Sequence, residues 1–105
     1  MTHTISNPPS ALLRPADLRE LLSFKSLTTL WSQVKSRDLP EPIKIGPRAV
    51  AWHAHEIEAI VAARAAGASA QDIQALVQDI HASRQAAWLR VKDAMRTAAT
   101  VGGAA

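Results

Sequence analysis

Residues 26–52 read SLTTLWSQVKSRDLPEPIKIGPRAVAW, and inside this stretch the hydrophobic period changes from that of a helix to that of a strand. Leu27, Leu30, Trp31 and Val34 recur at spacings of three and four, so they share one helical face. Thr28, Thr29, Ser32, Gln33, Lys35 and Ser36 fall on the other face, which is polar and basic. Ser26 suits the N-cap, because its hydroxyl can accept a bond from an amide that the first helical turn leaves unpaired. Pro40 and Pro42 then stop the helix and force extended backbone. Beyond them the period is two: Ile43, Ile45, Val50 and Trp52 alternate with Lys44, Ala49 and Ala51, around a Gly46-Pro47-Arg48 turn. The stretch predicts a polar-faced helix followed by a two-stranded hairpin with arginine at its tip.

The flanking segments extend this pattern. Residues 1–10, with Asn7, Pro8, Pro9 and Ser10, read as a flexible lead-in. Pro15 fits the first position of a helix, where its missing N–H costs nothing, and Asp17 and Glu20 complement the positive end of the helix dipole. Leu18, Leu21 and Leu22 make the buried stripe of this first helix, which is expected to end near Ser23. A third helix is expected over about 54–66, with Ile57, Ile60 and Val61 inward and Gly67 ending it. Ser69 and Asp72 have capping-box spacing and open a fourth helix over 68–99. Its apolar stripe is Ile73, Leu76, Val77, Ile80, Trp88, Val91 and Met95. The part from Ile73 to Ile80 is expected to fold back onto the chain; the part around Trp88 reads equally well as packing or as self-association. Residues 100–105 read as a frayed tail.

At 105 residues the chain fits one domain, with a small, alanine-rich helical core. There is no cysteine, which removes disulfides, thiolate metal sites and a cysteine nucleophile, and suits a reducing cytoplasm. No apolar run reaches membrane-spanning length, and the polar start lacks a secretory core. Charge is lopsided. Residues 1–52 carry seven Lys or Arg against four Asp or Glu, and the remainder balances at five against five, so the net +3 lies in the first half. A basic half suggests a polyanionic partner.

Helix, turn, helix, two-stranded wing, helix is the order of a winged helix-turn-helix. The fold class read from the sequence is therefore mainly α with a small β-hairpin: a winged helix-turn-helix over 11–67 plus a long C-terminal helix. Residues 12–64 also resemble the AlpA-type phage regulators, relatives of phage excisionases and of the MerR-like winged helix. The resemblance rests on Thr28-Thr29-Leu30-Trp31, on Leu39-Pro40, and on Lys44-Ile45-Gly46-Pro47-Arg48-Ala49-Val50-Ala51-Trp52, which is similar to the family's Lys-(Leu/Ile)-Gly-x-Arg-x-x-x-Trp wing. The chain departs from the pattern at Leu27, where these proteins often carry a basic residue, and at Ser23, in place of a frequent turn glycine. The resemblance implies double-stranded DNA as partner and a role as transcriptional regulator or excisionase of a mobile element, with an integrase as a further candidate partner.

Side-chain chemistry leads to the same partner independently. A helix fits the major groove, where short hydroxyl and amide groups approach base edges, so Thr28, Thr29, Ser32 and Gln33 are the candidate readers. Lys25, Lys35 and Arg37 are suited to phosphates, with Ser26 beside them at the helix start. Arg48 at the wing tip can enter a narrow minor groove, with Lys44 against the backbone. Trp52 is expected to anchor the wing in the core, and Trp31 to pack. His53 and His55 lie two apart, with His3 and His81 remote and no third ligand at metal-binding spacing, so no metal or other cofactor is expected. No nucleophile elbow, phosphate loop or carboxylate pair suggests catalysis. The competing reading is an interaction module that acts through its last helix without touching DNA.

Overall fold

The structure, a computed structural model, describes the backbone of residues 11–104 and the side chains of 11–98. The lead-in expected over 1–10 lies outside the described residues. Seven elements follow in order: β1 (Leu12–Leu13), α1 (Pro15–Leu21), α2 (Leu27–Lys35), β2 (Ile43–Gly46), β3 (Ala49–His53), α3 (Ala54–Ala65) and α4 (Ala70–Ala104). The winged helix-turn-helix order with a long C-terminal helix is therefore present. The fourth helix runs past its expected boundary at 99, and its backbone stays helical through most of the segment expected to fray.

The hairpin is joined by a third strand. β3 is central, with β1 and β2 antiparallel on either side. Leu12 faces His53 and Leu13 faces Trp52, and the Ala54 amide donates to the Ala11 carbonyl at 2.9 Å. Successive strand residues point to opposite faces, yet Ala51 and Trp52 are both fully buried, so β3 is covered on both sides. The strict alternation expected for β2 fails at Ile45. The register jumps from Lys44↔Val50 to Gly46↔Ala49, leaving Ile45 as an extra residue, and this bulge turns its side chain outward.

Helix ends explain the corners. α1, α2 and α3 all terminate in a Schellman motif, in which the two residues after the cap donate back into the last turn. The pairs are Ser23 to Glu20 and Phe24 to Arg19 for α1, Arg37 to Val34 and Asp38 to Gln33 for α2, and Gly67 to Arg64 and Ala68 to Ala63 for α3. The motif requires positive φ at its pivot, and the values are 59° at Ser23, 70° at Arg37 and 92° at Gly67. Only the last position carries the residue that adopts this conformation without strain. α1 is opened by the Arg14 amide donating to Asp17 Oδ2 at 3.0 Å. Ser69 and Asp72 form the expected reciprocal box, Ser69 N to Asp72 Oδ2 at 3.0 Å and Asp72 N to Ser69 Oγ at 3.1 Å. The bonds from Ser69 hold the Asp72 carboxyl below the usual carboxylate range.

One core unites these elements: Leu13, Leu18, Leu30, Val34, Leu39, Trp52, Ile57 and Ile60 from the first 65 residues, closed by Ile73, Val77 and Ile80 of α4. Several positions expected inward lie outside it. Leu21, Leu27 and Val61 are exposed, because α1 and α2 are short and their apolar stripes wrap past the contact, and because the covered side of α3 is that of Ala54, Glu56, Ile57 and Ile60. The stripe of α4 divides as its length dictates. At about 1.5 Å per residue the helix is roughly 50 Å long, more than the core can cover, and Trp88, Leu89, Val91 and Met95 are exposed.

Candidate nucleic-acid interface

α2 presents its polar face to solvent because Leu30 and Val34 fasten the opposite face to the core. Ser26 caps it, with Oγ accepting from the Thr29 amide at 3.3 Å and lying 3.3 Å from the Thr29 hydroxyl. Ser26 thus fixes the first turn and orients Thr29. Of the ten residues singled out from sequence, Lys25, Ser26, Thr28, Thr29, Ser32, Lys35, Arg37, Lys44 and Arg48 are exposed and Gln33 is half-buried. Lys25 stands in the turn before α2, and Arg48 occupies the two-residue turn between β2 and β3. Arg37 also lines a cleft of about 300 Å³ with Gln74, Val77, Gln78 and His81 of α4.

Two tryptophans couple the helix to the wing. Trp52 is fully buried and donates from Nε1 to the Pro40 carbonyl at 2.7 Å. Trp31 of α2 lies against it, ring centroids 5.5 Å apart and tilted by 39°, while remaining 39% exposed. Trp52 is therefore a core anchor, and Trp31 packs with one edge in solvent.

The segment 36–42 between α2 and β2 has no regular structure, so side chains from elsewhere take up its backbone groups. Arg64 of α3 donates to the Asp38 carbonyl at 2.7 Å, and Trp52 holds the Pro40 carbonyl. Three further bonds come from α4: Gln74 Nε2 to the Ser36 carbonyl at 3.4 Å, Arg84 Nη1 to the Glu41 carbonyl at 2.7 Å, and the Glu41 amide to His81 Nε2 at 3.0 Å. The last bond makes Nε2 an acceptor, so His81 is neutral with its proton on Nδ1. Burial, then the Arg84 guanidinium, holds His81 below the ordinary imidazole range; Arg37 acts the same way, and the Glu41 and Glu56 carboxylates oppose them. Arg84 is itself fixed by Glu56 in the first turn of α3, Nη2 to Oε1 at 2.7 Å and Nε to Oε2 at 3.1 Å, with Glu56 only 7% exposed.

Sequence reading missed this set. Glu56, Arg64 and Arg84 enter only the charge balance of the second half, and His81 reads as remote. The available signal was that His81 and Arg84 continue the i, i+3, i+4 line of Val77 and Ile80, which marks polar groups on a packed face. Among the described residues no three metal-ligating side chains cluster, and His53 and His55 lie ring to ring at 5.3 Å.

Residues 11–65 match the model of the family described as Prophage CP4-57 regulatory protein (AlpA). The chain belongs to that family. The AlpA match spans β1 through the end of α3, so it contains every candidate contact residue and both tryptophans. α4 falls outside the AlpA region, although it supplies three of the core's buried side chains. No curated protein and no solved structure matches the chain. The AlpA family is one of regulatory proteins by its description, and among the described residues no helix is long and apolar enough to cross a membrane.

Proposed function

We propose that this AlpA-family protein is a sequence-specific DNA-binding regulator of a mobile genetic element, working in the cytoplasm. The observation that carries the proposal is the exposed hydroxyl-rich face of α2 set directly before a wing with Arg48 at its tip, in a chain of prophage-regulator family. In this reading α2 enters the major groove with Thr28, Thr29, Ser32 and Gln33 toward base edges. Lys25, Ser26, Lys35 and Arg37 hold phosphates, Arg48 reaches the adjacent minor groove and Lys44 the backbone. The unit responsible is residues 11–67. Whether the DNA event is transcription of recombination genes or bending of an attachment site is decided by an in vitro excision reaction with the cognate integrase, the proposed protein partner.

Binding to DNA from the protein's own locus, titrated with salt, tests the proposal. Arg48→Ala and Lys35→Ala each weaken binding and lower the salt slope by about one, whereas Thr28→Ala and Ser32→Ala relax sequence preference. Base readout by α2 is refuted if the last two variants keep the wild-type preference. The exposed Trp88, Leu89, Val91 and Met95 favour a second reading, an interaction module acting through α4 alone. That reading predicts neither binding nor a salt slope in the wild type.

A further inference from the structure

The two parts proposed to touch DNA are joined by a segment without secondary structure, and a flexible joint there would let helix and wing move independently. The segment is instead tied at five backbone groups by side chains of three different elements. Leu39 and Pro40 at its centre are buried, so the middle of the segment is also fastened from below. Three of the five ties come from α4, beyond the AlpA-matched region. The α4 ties cluster at its two ends: Gln74 at Ser36, just after α2, and His81 with Arg84 at Glu41, just before β2. Glu56 orients Arg84 so that one guanidinium bridges α3, α4 and the linker together.

We infer that α4 sets the separation of recognition helix and wing by clamping the linker, with His81 and Arg84 as positioning residues that touch no DNA themselves. The inference rests on the DNA-binding reading only for its consequence, since the clamp is a property of the free protein. Pre-set geometry favours binding because a loop ordered beforehand need not be ordered on contact. Its physical signature is non-additivity: if the clamp matters only by presenting the wing, then releasing it and removing Arg48 take away the same interaction.

The experiment uses the full chain and three variants. His81→Leu removes the acceptor for the Glu41 amide, His81→Gln restores one, and Arg48→Ala removes the wing-tip charge. In the free protein, amide hydrogen exchange at Glu41 should be slowed in wild type and His81→Gln and should speed up about tenfold or more in His81→Leu. On own-locus DNA, His81→Leu should lose about tenfold in affinity with its helical circular dichroism intact, and His81→Gln should recover it. His81→Leu combined with Arg48→Ala should bind no worse than Arg48→Ala alone. Strictly additive losses, an unchanged affinity in folded His81→Leu, or rapid Glu41 exchange in wild type would each overturn the clamp. Failure of the wild type to bind DNA would instead defeat the DNA-binding reading, while the exchange measurement would still decide the clamp.

Discussion

Ser23 and Arg37 occupy equivalent places, each the left-handed pivot of a helix end, and neither is glycine. A non-glycine side chain there costs about 1–2 kcal/mol, and replacing it with glycine gives back roughly 0.5–1 kcal/mol through the freer unfolded chain. Ser23→Gly is therefore expected to stabilise by about 0.5 kcal/mol and to raise the melting temperature by about 2–4 °C, read by a thermal melt. Arg37→Gly should gain similar stability, yet it should weaken DNA binding and reduce the salt slope by about one if Arg37 holds a phosphate. A position that strains the fold and serves the partner separates the two measurements; loss of stability in both variants would refute the strain argument. Only Ser23 carried a hint in the sequence, as a departure from the expected glycine. Nothing in the local pattern marked Arg37, because a Schellman end is set by where the helix must stop. His81 adds a pH dependence. Its folded pKa lies below the ordinary value of about 6.5, so the unfolded chain takes up the proton first as pH falls. The stability from neutral His81 is complete above the unfolded value and is lost as pH drops through the folded one. The melting temperature should thus fall more between pH 7.5 and 5 in wild type than in His81→Gln; equal falls would show that His81 is not the titrating group.

At the level of elements, the hairpin, α2 and the capping box of α4 were legible because each is written in a local period or a fixed short spacing. β1 was not, since two residues carry no period and pair with residues some forty positions away. The clamp was illegible for the same reason: its partners are separated by 38, 40 and 43 positions. The Glu56–Arg84 pair illustrates what such long-range chemistry contributes. Both side chains are largely withdrawn from water, at 8% and 19% exposure, and joined at 2.7 Å. Desolvation offsets much of the attraction in a pair of this kind, but removing one partner strands the other charge. Arg84→Met is therefore expected to destabilise by about 3 kcal/mol, measured by urea denaturation, while Glu56→Leu together with Arg84→Met should recover most of the loss. If the double variant is as unstable as the single, the pair is net stabilising and α4 depends on it for docking.

Over the whole molecule, one helix face serves two environments. Ile73, Val77 and Ile80 are covered by the winged core, and the same face continues through Val91 and Met95 after the core has ended. Whether a second copy of the chain covers this stretch on adjacent repeats is settled by the measurements that follow. Pairing along so short a stretch of one helix would be small against the roughly 1,200–2,000 Å² of a specific, stable interface. Free protein should accordingly be mostly monomeric at micromolar concentration, with pairing promoted on DNA. The electrostatics give a separate measure of the same event. Lys25, Lys35, Arg37, Lys44 and Arg48 are exposed, and five cations neutralising DNA charge, Arg48 from the minor groove and the others at the backbone, correspond to a slope of about −4.5 in log K against log salt. Two copies held together should approach twice that slope on a two-repeat fragment, with sigmoidal binding. Val91→Glu combined with Met95→Glu places charge in the pairing face, so it should abolish the sigmoid and leave the single-repeat slope unchanged. If cooperative binding survives that variant, coupling between sites runs through the DNA and the exposed stripe of α4 is free for a different protein.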